Sequence, residues 1–220
     1  MLPSHLILAT AAVSLLLSLS ITGSNAQNSG PAKRSLSAMV GTLSVETETE
    51  MSSGHLTACH FVFTTVAQDR QGSYIGVSGN IGIRKATNNF GIDLKVVVFD
   101  IESSSGRLVL KPSPPSRAYL VDRDNQTNLY SLIATVPSDT PGALVSLFQF
   151  HPSFEIIMDG LRTDQITIAF NRDDEDGDIQ LPLELDVKSV SESGQRQRSG
   201  EAVQSFEICT RSIVSQTGTK

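Results

Sequence analysis

The densest run of side chains able to do chemistry is Asp173-Asp174-Glu175-Asp176-Gly177-Asp178. Carboxylates this close together offer the oxygen donors that a hard cation needs, and calcium takes about six to eight of them. Asp173, Asp174, Asp176 and Asp178 are therefore the candidate metal ligands, and calcium is the one cofactor the sequence suggests. The spacing departs from the EF-hand: with Gly177 at the invariant glycine position, the first and last loop positions fall on Arg172 and Leu183, and neither is a ligand. An acidic, solvated hairpin tip explains the same residues without a metal.

His55, Cys59 and His60 lie close in sequence, with His151 further on, and together they suggest a zinc site. Strand geometry argues against it. In an extended segment, Cys59 and His60 point to opposite faces, and a cysteine held in a disulfide is no ligand. Gly76-Val77-Ser78-Gly79 falls short of the Gly-x-Ser-x-Gly elbow of serine hydrolases. Gly76, Gly79 and Gly82 lack the Lys-Ser or Lys-Thr that completes a phosphate loop, and they read as bulges or tight packing in a strand. No Cys-x-x-Cys occurs. No catalytic residue is assigned. Asn125-Gln126-Thr127 is a glycosylation sequon in a polar, turn-like setting, an acceptor where the export route carries the transferase.

The elements that position these residues are mainly strands. Short apolar segments separated by Gly, Pro, Asn and Asp recur at the spacing of a sandwich or barrel. Ile179 to Val187 alternates apolar and polar residues without a miss, as a sheet with one wet face requires, and Pro182 places it at an edge or irregularity. Ile166, Ile168 and Phe170 alternate just before it, so the two runs predict a β-hairpin turning through 172–177. Leu94 to Ile101 is nearly continuously apolar and β-branched, which predicts a central strand covered on both faces. Further strands are expected at Met39 to Val45, Leu56 to Val66, Tyr74 to Ile83, Ala118 to Asp122, Leu129 to Val136, Ala143 to Phe150 and Phe154 to Met158. Helical spacing is confined to the end of the chain, where Ala202, Phe206, Cys209 and Ile213 share one face. Cys59 and Cys209, the two cysteines of the chain, are expected to form a disulfide that staples this helix to the strand Leu56 to Val66. The fold class is thus mostly β, an antiparallel β-sandwich or barrel-like domain with a short C-terminal helix.

Residues 1–26 have the pattern of a cleavable signal peptide: an apolar stretch from Leu6 to Ile21, too short to span a bilayer comfortably, then small residues before Gln27. The n-region carries no Lys or Arg, so an uncleaved anchor is the alternative. Residues 27–34 are small and polar, a flexible leader, and 35–220 form a single β-rich domain. Secreted or periplasmic localisation follows, with no membrane span after signal cleavage. A formal charge of −6 argues against nucleic acid and anionic lipid as general partners. Without a catalytic constellation, the expected role is a binding or interaction module for a protein or small-molecule ligand. The alternative is an extracytoplasmic, hydrolase-like enzyme whose site is assembled from dispersed residues. The loops Arg84 to Asn89, Pro112 to Arg117 and Arg172 to Asp178 are the expected recognition segments.

Overall fold

The structure, a computed structural model, describes residues 30–85, 89–104, 107–172 and 177–215. In chain order the elements are α1 (Gly30–Met39), β1 (Gly41–Ser52), β2 (His55–Gln68), β3 (Tyr74–Lys85), β4 (Phe90–Ser104), β5 (Arg107–Pro112), β6 (Arg117–Val121), β7 (Leu132–Pro137), β8 (Ala143–Gln149), α2 (Phe150–Thr163), β9 (Gln165–Asn171), β10 (Ile179–Glu184), β11 (Val187–Val190), β12 (Arg196–Arg198) and α3 (Glu201–Ser215). The chain is mostly β and antiparallel, in a sandwich-like arrangement, and no closed barrel forms among the described residues.

The large sheet runs β1-β2-β3-β4-β8-β7, with β5 also paired to β4. β4 has room for two neighbours on one side because it is long: Gly91 to Val97 pair with β8, and Phe99 to Ser104 pair with β5. Its apolar run is central, as the sequence predicts. A three-stranded sheet, β10-β9-β6, contains the expected hairpin, and Pro182 sits on its edge strand β10, where a missing N–H breaks no ladder.

Alternation divides the large sheet into two faces. Ile75, Val77, Ile81 and Ile83 of β3 and Ile92, Leu94, Val96 and Val98 of β4 are buried in the main core, with Phe61 and Phe63 of β2 and Phe148 of β8. The small sheet, α2 and α3 complete this inner layer. Ala202, Phe206, Cys209 and Ile213 of α3 are all buried, as their spacing predicts. Phe206 stacks on Phe61 with ring centroids 4.1 Å apart, and Cys59 is bonded to Cys209 across 150 residues.

Several expectations need correction. Phe154 to Met158 is not a strand but part of α2, and α1 is a second helix away from the chain's end; it starts at Gly30, inside the stretch 27–34. In α2, Phe154, Ile157, Met158 and Leu161 recur at steps of three and four, which one face of a helix can bury but a strand cannot. Gly160 lets α2 close onto β9, since a Cβ there would lie 2.3 Å from Cγ1 of Ile166. The segment expected as a strand from Leu129 opens with a 3-10 turn at Leu129–Ser131, and β7 starts only at Leu132. The run to Val187 breaks after Glu184, so β11 pairs with β12 instead of prolonging β10. β5 is a strand where none was expected.

Candidate functional site

The registers bring charged and ionisable residues of four strands together on the outer face of the large sheet. Glu48, His60, Gly82 and Asp93 are in line across β1 to β4, and Glu50, Ala58, Arg84 and Gly91 form the next row but one along. His60 reaches over Gly82 to Asp93, and its Nε2–H lies 3.1 and 3.0 Å from the two carboxylate oxygens. The ring fits because Gly82 has no side chain: a Cβ there would lie 1.9 Å from Cδ2 of His60. Arg84 reaches over Ala58 to Glu50 with two hydrogen bonds, of 2.7 and 2.9 Å, and also donates to Asp93 at 3.3 Å. Nδ1 of His60 faces Glu50 at 3.7 Å.

His60 and Asp93 are 2% and 5% exposed, so these polar groups need partners, and each has them. Burial pushes the Asp93 carboxyl upward, but hydrogen bonds and charge from His60 and Arg84 outweigh it and hold the group below its ordinary range. The Arg84 hydrogen bonds likewise lower Glu50, and those same bonds raise Arg84. Both ring nitrogens of His60 face carboxylates, and among the described residues no hydroxyl or thiol is hydrogen-bonded to either. The network stitches β1 to β4.

A second charged group joins β6 to the residue that precedes β10. Asp178 accepts from Arg117 at 2.7 and 3.1 Å and from the hydroxyl of Tyr119. Burial again acts to raise Asp178, and the bonds from Tyr119, Arg117 and Asn171 prevail and lower it. Burial and the Asp178 contact push Tyr119 up to about 12. Of the expected calcium ligands, Asp173, Asp174 and Asp176 lie outside the described residues, and Asp178 has both oxygens engaged. Among the described residues no group of three or more His, Cys, Asp or Glu is arranged to hold a metal. The zinc idea dissolves geometrically: Cys59 is in the disulfide on the inner face and His60 is on the outer one.

Two of the three expected recognition loops meet. Ser116 N–H donates to the Asn171 carbonyl at 2.8 Å, and Arg117 binds Asp178, so 116–117 lie beside the described residues that flank 173–176, which are themselves outside the described ones. Arg172 holds Asp100 there at 2.9 Å. Arg84, at the start of the third loop, belongs to the outer-face network, and residues 86–88 lie outside the described ones. Asn125 of the sequon is exposed in a tight turn with φ of 60°, a left-handed conformation that asparagine tolerates.

Apolar exposure among the described residues is concentrated in two segments of the large sheet. Of the twelve exposed large hydrophobic side chains among the described residues, eight lie at Leu108, Val109, Leu110, Leu129, Tyr130, Leu132, Ile133 and Val136. These belong to β5, to β7 and to the turn leading into β7; both strands lie on the side of β4 away from β3, β5 along Phe99 to Ser104 and β7 outside β8, which runs along Gly91 to Val97. Ile133 is 63% and Val109 45% exposed. A strand is expected at Leu129 to Val136, but the β5 part is missed, because three apolar residues between Arg107 and Lys111 make too short a run to stand out. Elsewhere, a solvent-open groove of about 470 Å³ between α2 and α3 is lined by Phe154, Met158, Leu161 and Val214. The charged residues on its rim, Glu207 and Arg211, are already paired at 3.1 Å.

Comparisons with protein-family models, curated proteins and solved structures return no match. No helix among the described residues is long and apolar enough to cross a membrane.

Proposed function

We propose that this is an exported interaction module that receives an extended segment of a partner chain on the β5 and β7 margin of its large sheet. The observation that carries the reading is that eight of the twelve exposed large apolar side chains among the described residues lie on β5, on β7 and in the turn before β7. An unpaired edge strand offers a row of N–H and C=O groups to an incoming chain, and apolar side chains beside it supply the contact area. The disulfide and the apolar stretch from Leu6 to Ile21 support export, since disulfides persist in oxidising compartments.

The test is site-specific photocrosslinking in the native envelope or secretome, with the photoreactive group at 109, at 133, or at the exposed position 204 on α3. The expected result is one dominant partner captured from 109 and 133 but not from 204. Equal capture from all three positions, or none from the first two, rejects the margin as the docking site.

A further inference from the structure

Resting on that reading, we infer that the segment recognised by β5 has apolar residues bracketed by two acidic side chains four positions apart. Arg107-Leu108-Val109-Leu110-Lys111 is exposed at every residue. Strand alternation places Leu108 and Leu110 on one face and Arg107, Val109 and Lys111 on the other. An incoming antiparallel strand thus meets a cation at each end and three aliphatic side chains between them. Side chains directly opposite one another across an antiparallel pair attract when oppositely charged and repel when alike. Carboxylates opposite Arg107 and Lys111, with apolar residues between, are the complement.

The inner neighbour of β5 already displays part of this pattern. Across the ladder, β4 sets Asp100 opposite Lys111 and Ile101 opposite Leu110, and Glu102 lies 3.9 Å from Lys111. Among the described residues, no strand pairs with the outer side of β5. Two cations on an exposed edge also stand out in a chain of formal charge −6.

The same charges decide against a second copy of this chain on β5. Antiparallel self-pairing centred on Val109, the register that pairs the whole segment, sets Arg107 against Lys111 at both ends. Like charges directly opposite destabilise a strand pair. An acid-bracketed partner removes that repulsion and replaces it with attraction.

The experiment uses two fluorescent peptides, one with the core DIVLE and one with KIVLK, titrated with the full chain and read by anisotropy. The acid-bracketed peptide should bind more tightly, by roughly two- to five-fold for each charge pair, and added salt should narrow the gap. The Arg107→Glu, Lys111→Glu double variant should reverse the preference and gain affinity for KIVLK, an outcome that a misfolded variant cannot produce. Equal binding of both peptides to the unmodified chain, or failure of the double variant to reverse the order, overturns the acidic bracket while leaving edge docking standing. Binding of neither peptide removes both. A dimer in sedimentation that the double variant strengthens or dissolves assigns β5 to a second copy, and overturns the inference.

Discussion

Replacing Gly82 by alanine tests the outer-face network at its tightest point. The new methyl group would lie 1.9 Å from Cδ2 and 2.7 Å from Cγ of His60, and 2.5 Å from the Cys59 carbonyl oxygen. The ring must leave its place over β3, and its hydrogen bonds to Asp93 go with it. Overpacking of this kind costs roughly 1–3 kcal/mol. Loss of a hydrogen bond to a charged group adds about 1.5–3 kcal/mol. Asp93 keeps Arg84 at 3.3 Å but no longer has the imidazole that burial demands. His60→Ala removes the same hydrogen bonds without the clash. In the double variant Gly82→Ala, His60→Ala, the ring contact is gone and only the contact with the Cys59 carbonyl remains. The two substitutions should therefore be strongly non-additive, with the double variant more stable than the sum of the single losses implies by about 2 kcal/mol or more. Urea denaturation of the four proteins gives the cycle, provided the m-values agree. Additivity to within about 0.5 kcal/mol would refute the claim that Gly82 is small in order to admit the His60 ring.

Three further outcomes are expected. Glu50 and Asp93 are held below their ordinary values in the folded chain, so the unfolded chain binds more protons in acid and acidification favours unfolding. This contribution is complete only above the unfolded values, from about pH 5 upward, and is lost as pH falls through the lower folded values, so an Asp93→Asn variant should start less stable at neutral pH and fall less steeply in acid melts. Reducing the Cys59–Cys209 bond opens a loop of 150 residues, for which chain entropy gives about 5 kcal/mol. Denaturation midpoints measured with and without reductant read this directly, and a shift of less than about 1 kcal/mol would mean that the packing of Phe206 on Phe61 holds α3 unaided. Tyr119 is pushed up to about 12, and a late phenolate phase in an absorbance titration should vanish in Tyr119→Phe; a phase that persists would place the late tyrosine elsewhere.

What could be read from the residues depended on how local the signal was. The helix of Ala202, Phe206, Cys209 and Ile213, its bond to Cys59, the hairpin of β9 and β10, and the centrality of β4 all rest on periodicity or composition within a single short segment. Phe154 to Met158 by itself is too short to show its period, and only Leu161, a further helical step on, distinguishes helix from strand. The charged network was invisible for a different reason. Glu50, His60, Arg84 and Asp93 come from four strands, and only the registers that set His60 opposite Gly82 and Gly82 opposite Asp93 bring them together. The one signal in the sequence was the glycine itself, small in the middle of a β-branched strand, which marks close approach without saying of what.

The margins of the two main sheets are protected unequally, and that inequality is the strongest link from fold to function. At the β1 margin, Glu46, Glu48 and Glu50 put charge along the strand, and Arg196 of β12 donates to the Val40 and Thr42 carbonyls at 2.6 and 3.2 Å. At the β10 margin, Pro182 withholds a donor. Charge, proline and a covering segment are the recognised means of keeping a strand edge from pairing. β7 uses no charge, and its proline, Pro137, stands only at its end. β5 keeps its cations at the ends and leaves Leu108, Val109 and Leu110 open between them. Stability does not require an open apolar edge, since charged residues at 109 or 133 would leave the buried core untouched. An edge left open where the β1 and β10 margins are closed is what the proposed docking of a strand from another chain requires, and the cations that end β5 would favour an acid-bracketed one.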